Sequence, residues 1–206
     1  LLSSCGCGIC GAAAVMGVSG QLRAKTDDSV LAVAVVAILG TVFTLIEVAL
    51  KPYLGLEAYN YGIFAGSSLH EIAHAVAAGG AGGQVGLDAA ILSKLSRVLM
   101  LIVVAIVLFV INRRSNDEAQ GKMPMPYFII GFVFMSILGS YVSFLKPLAP
   151  YFVDAAYIFL GMAMTALGMS VNFKVIKERG MRVFVACFLS STILMIVCYL
   201  IAKFVF

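Results

Sequence analysis

The chain has 206 residues, 62% of them hydrophobic and 12% charged, with a net charge of +4. A soluble domain carries about 25% charged residues and roughly 45–50% apolar ones; with a mean hydropathy of +1.07, this chain has too little polar surface to live in water. Nucleic-acid binding is excluded as well, because the basic residues lie in short loops and form no patch or stripe. The composition predicts an all-α, polytopic membrane helix bundle whose first partner is the lipid bilayer.

In chain order, Ser3–Gly20 reads SSCGCGICGAAAVMGVSG, rich in Gly, Ala and Ser, with apolar stretches too short to span a bilayer. Cys5, Cys7 and Cys10 lack a fourth ligand at metal-site spacing, and with Cys187 and Cys198 they make an odd total. Neither a cluster site nor a disulfide framework follows, and packing is the expected role. Val30–Ile46, extended past Glu47 to Leu50, is the first run near the ~20 residues that cross a hydrocarbon core. Tyr61–Gly83 is a second short segment. From Ser67 it reads SSLHEIAHAVAAGGAGG, with the same Ser-Ser start and Gly-closed, Ala-rich end as the first. Four further spans follow: Leu95–Ile111, extendable backwards through Leu87–Ser93, then Pro126–Leu145, Val153–Val171 and Val183–Phe206. Short Gly-interrupted segments in related positions point to discontinuous or re-entrant helices, which in transporters build the binding site; the alternative is ordinary small-residue packing helices.

The loops set an orientation. Arg113, Arg114 and Lys122 in Asn112–Pro126, and Lys174, Lys177, Arg179 and Arg182 in Asn172–Arg182, place both loops in the cytoplasm. The Lys146–Pro150 turn between them is then outside.

Two constellations can carry chemistry. His70-Glu71-Ile72-Ala73-His74 matches H-E-x-x-H, which on a helix puts two imidazoles on one face to bind zinc while the Glu activates water. The candidates for a third ligand are Asp88 and Asp154, neither in a recognisable protease motif. One alternative is that His70 and His74 are hydrogen-bonded inside the bundle; the other is that His70 and Glu71 line a substrate or proton path, since ionisable groups in membrane segments are costly to bury and are functional by default. Lys94 and Arg97, three apart, share a helix face at the head of an apolar run. There they can snorkel to the interface. Turned inward, they form a cationic site for an oxyanion, with Arg97 able to bind it through two hydrogen bonds.

Four stretches carry a family likeness: SSCGCGICGAAAV (3–15), YGIFAGSSLHEIAHAVAAG (61–79), ILSKLSRVLMLIVV (91–104) and LGMAMTALGMSVNFKVIKERG (160–180). In order and spacing they resemble the YeiH family, bacterial inner-membrane proteins for which sulfate export has been suggested, within the bile-acid/arsenite/riboflavin transporter superfamily. The resemblance implies inverted repeats and discontinuous helices. It also implies that residues 1–206 form the C-terminal portion of a single transporter domain, because family members are longer. The family usually has Gln where this chain has His74, and it gives Cys5 and Cys7 no role.

The resulting expectation is a multi-pass secondary transporter that exports a small anion, sulfate or a related oxyanion, and is not an enzyme. Segments Ser3–Ala14 and Ser67–Ala78 meet near the membrane midplane. Ser3, Ser4, Ser67, Ser68, His70 and Arg97 contact substrate, and Glu71 couples protons. No catalytic residue, metal or cofactor is expected, and a homodimer is compatible with the sequence. The rivals are an intramembrane zinc protease using His70, Glu71 and His74, and a non-transporting membrane protein that keeps the fold.

Overall fold

A computed structural model describes residues 2–19, 22, 24–115, 127–141, 147–170 and 180–206. Most of the Asn112–Pro126 and Asn172–Arg182 loops, and Lys146 of the turn between them, lie outside the described residues.

The described chain is all helix: α1 (Leu2–Gly8), α2 (Ala12–Ser19), α3 (Thr26–Leu54), α4 (Ala58–Ser68), α5 (Ile72–Gly80), α6 (Gly83–Ser115), α7 (Tyr127–Tyr141), α8 (Ala149–Ser170) and α9 (Met181–Phe204). Local sequence explains the boundaries of α3. Asp27 and Asp28 sit in its first turn, where negative charge suits the positive end of the helix dipole. Its last turn contains Pro52, and Gly55 closes it in the left-handed conformation at φ +63°. Among the described residues, α3 and α9 are long and apolar enough to cross a membrane, with hydropathies of 2.6 and 2.4. α6 begins at Gly83, well before the predicted Leu95, and its 33 residues rise roughly 50 Å.

The two short segments are both interrupted helices. α1 and α2 are separated by residues 9–11, and α4 and α5 by residues 69–71. Gly11 supplies a φ of +68° at the first break. At the second, Leu69 and Glu71 take extended backbone, with ψ of 158° at both. α6 packs along both α4 and α5, while α3 touches α1, α2 and α5, and α9 touches α1, α3 and α4. The α4–α6 contact is backbone-close: a Cβ on Gly62 would meet the Gly86 carbonyl, and one on Gly66 would meet that of Ala90. Small residues four apart on both helices permit this approach.

The apolar core centres on α3. Val35, Val36, Leu39 and Phe43 pack with Ala65 and Leu69 of the α4 side and with Cys7 and Cys187. All five cysteines are free, and Cys7, Cys10, Cys187 and Cys198 are buried in apolar clusters as packing residues.

Candidate functional site: the crossing of two broken helices

A break in a helix leaves carbonyls without partners at the end of the first half and N–H groups without partners at the start of the second. The charged side chains of this chain answer those ends. Lys94, fully buried, donates to the carbonyls of Ile9 in the first break, at 3.3 Å, and of Leu69 in the second. Arg97, one turn along α6, donates to Cys7 and Gly8 at the end of α1 and to Ser67 and Leu69 at the end of α4. Both cations therefore sit at the negative ends of two half-helices and tie one break to the other.

The acid answers the opposite end. Glu71 Oε1 accepts a hydrogen bond from the backbone N–H of Ala12, the first residue of α2, at 3.3 Å. Gly11 makes room for this, since a Cβ there would run into the Glu71 side chain. Lys94, Arg97 and Glu71 thus form a crossover of two positive groups and one negative group, held among four half-helix ends.

The two histidines are bound by different helices. His70 lies in the break, fully buried, with Nε2 2.7 Å from Ser191 Oγ on α9 and its ring 6.0 Å from that of Phe43. His74 lies within α5, with Nε2 3.3 Å from Thr41 Oγ1 on α3. Its ring rests against Gly40, where a Cβ would collide with it. α5 starts at Ile72, so H-E-x-x-H is not on one continuous helix, and the shared face assumed from the spacing does not form. Asp88 is exposed and accepts from Gln84 Nε2 at 2.9 Å; Asp154 is exposed. No group of three or more His, Cys, Asp or Glu arranged to hold a metal occurs among the described residues.

The predicted site residues thus separate into two sets. Arg97, Glu71 and His70 come to the breaks. Ser3 and Ser4 do not: they lie at the start of α1, Ser4 exposed and Ser3 lining a cavity of about 320 Å³ with Leu31 and Val183. The Ser67 hydroxyl turns back onto its own helix, donating to the Ile63 carbonyl at 2.6 Å. Ser68 faces α3, with Oγ 2.7 Å from Glu47 Oε1. The option of Lys94 snorkelling to the interface is overturned: it is fully buried, and the carbonyls of the two breaks give its ammonium partners inside the bundle. Arg97 is partly open and lines a groove of about 420 Å³ with Ser93, Ser96 and Tyr59.

Sequence reasoning passed over Glu47, treating it as the edge of an apolar run. It is fully buried on α3. The signal was available: it is the one carboxylate within Val30–Leu50.

The family model described as Conserved hypothetical protein 698 matches residues 1–187. A UPF0324 membrane protein of Lactobacillus johnsonii is 51% identical, with the match covering 100% of this chain and 64% of that protein. UPF0324 membrane proteins of Bifidobacterium longum and Bacillus cereus are 48% and 42% identical, over 95% and 98% of this chain and 58% and 60% of theirs. The chain thus spans about three-fifths of the length of these relatives. No solved structure matches it significantly.

Proposed function

The chain belongs to the family of Conserved hypothetical protein 698, the UPF0324 membrane proteins to which the YeiH likeness pointed, and from that premise we propose that it is the substrate-binding part of a multi-pass secondary transporter for a small oxyanion in the bacterial inner membrane. The observation that carries this reading is the meeting of two broken helices around buried charge. Irregular backbone and ionised groups at membrane depth are tolerated where they line a path for a polar solute. Two such breaks, facing each other, are the arrangement expected of an inverted-repeat transporter with its site at the midplane.

The sign of the substrate follows from charge. Among the described residues at the crossing, Lys94 and Arg97 stand against Glu71, an excess of one positive charge. An oxyanion neutralises that excess, and Arg97 is the cation with open space beside it. In this reading His70 and the Ser67 and Ser68 turn shape the site, and Glu71 is the proton-coupling group. The zinc-protease alternative loses support because its two histidines are engaged by α9 and α3.

Equilibrium binding of sulfate to the full-length purified protein tests the reading, with phosphate and chloride as competitors. Sulfate should bind, and Arg97→Gln should weaken it by about tenfold or more, since a charge-assisted hydrogen bond contributes roughly 1.5–3 kcal/mol. Equal affinity for wild type and Arg97→Gln would remove Arg97 from the site.

A further inference from the structure

Three buried side-chain atoms have no hydrogen-bond partner among the described residues: Glu47 Oε2, His70 Nδ1 and His74 Nδ1. All three belong to the contact between α3 and the broken helix α4–α5. His74 meets α3 at Gly40 and Thr41, His70 at Phe43, and Ser68 at Glu47. From Thr41 to Glu47 the helix rises about 9 Å, so these groups form one polar seam inside an apolar core.

The hydrogens in this seam can be counted. Ser68 Oγ lies 2.6 Å from the Phe64 carbonyl and 2.7 Å from Glu47 Oε1, both oxygen acceptors. A hydroxyl has one hydrogen. If that hydrogen goes to the carbonyl one turn back, a common arrangement for serine in membrane helices, the contact with Glu47 needs a hydrogen on the carboxyl. Among the described residues, none of the buried cations hydrogen-bonds to the carboxyl. Lys94 and Arg97 donate to the carbonyls of the breaks and Lys51 donates to that of Ala81. An ionised carboxylate with no exposure, one shared donor and an empty Oε2 would be expensive to bury, whereas the neutral acid is not.

We propose that Glu47 is a proton-binding site, a neutral acid that donates to Ser68 and exchanges its proton with water through the seam it shares with His70 and His74. Buried polar atoms that lack protein partners are where structural water sits. The titratable groups facing Glu47 are Tyr61 from α4, whose hydroxyl donates to the Glu47 carbonyl at 3.3 Å, Lys94 from α6, and Cys198 from α9. Loss of the proton would put two acceptors face to face at Oε1 and Ser68. The Ser68 hydrogen must then leave the Phe64 carbonyl, disturbing the last turn of α4. The Ser67 and Leu69 carbonyls of that turn hold Arg97 and Lys94. Glu47 is thereby linked to the crossing without touching it, as a second acid distinct from Glu71.

Infrared spectroscopy of the full-length protein in lipid tests this without substrate or transport, so its outcome is separable from that of sulfate binding. At neutral pH the carbonyl stretch of a protonated carboxyl should be present and should shift down in D₂O. It should disappear in Glu47→Gln, survive in Glu71→Gln, and move to higher frequency in Ser68→Ala as the hydrogen bond is lost. A spectrum unchanged by both Glu47→Gln and Ser68→Ala would overturn the assignment, as would a Glu47 band that never shifts in D₂O. Should Glu47→Gln fail to fold, the Ser68→Ala shift alone decides.

Discussion

Gly11 bears two constraints at once: a φ of +68° and the Glu71 side chain where a Cβ would stand. The left-handed conformation costs a non-glycine residue roughly 1–2 kcal/mol, and moving Glu71 would also strip the N–H of Ala12 of its acceptor. Gly11→Ala should therefore lower the thermal unfolding temperature of the purified protein. Gly80→Ala, at a helical position where nothing lies within 4 Å, should not. Equal unfolding temperatures for wild type and Gly11→Ala would mean that Glu71 does not approach α2 in this way. The same scale shows what residue type alone conveys. A lone carboxylate in an apolar run marks Glu47, and a charged pair at the head of another marks Lys94 and Arg97, but type and spacing cannot say which backbone ends those groups meet.

Among the elements, most helices and the interruptions were legible because they depend on local composition, though the start of α6 was not. The apolar runs at 30–50 and 183–206 became α3 and α9, and the Gly-rich, Ala-rich stretches became the broken pairs α1–α2 and α4–α5. The H-E-x-x-H motif, kept only as a rival reading, loses its geometric basis, since its meaning requires a continuous helix and the chain is extended at Glu71. Spacing along a sequence becomes spacing in space only where the periodicity persists. With His70 bonded to Ser191 of α9 and His74 to Thr41 of α3, protein purified without added metal should contain no stoichiometric zinc, as elemental analysis would show. Stoichiometric zinc that disappears in His74→Gln would restore the protease reading. Apart from the meeting of the two broken segments, the contacts between elements were beyond the sequence. That Gly62 and Gly66 face Gly86 and Ala90 depends on how α4 and α6 dock, and so does the burial of Lys94.

For the whole molecule, the consequence is a bundle with a few buried charges arranged by helix polarity. Cations hold the C-terminal ends of α1 and α4, and a carboxylate holds the N-terminal end of α2. Such a centre can change state when an anion or a proton changes the balance among its members. Sulfate counterflow through full-length protein reconstituted in proteoliposomes tests this most directly, compared between wild type, Arg97→Gln and Glu71→Gln across a range of pH. Wild type should exchange labelled sulfate, Arg97→Gln should exchange it about tenfold or more slowly at low sulfate, and Glu71→Gln should still exchange but without the pH dependence of wild type. Proteoliposomes that move no sulfate, or that move it equally well with all three proteins, would contradict a transport site at the crossing of the two broken helices.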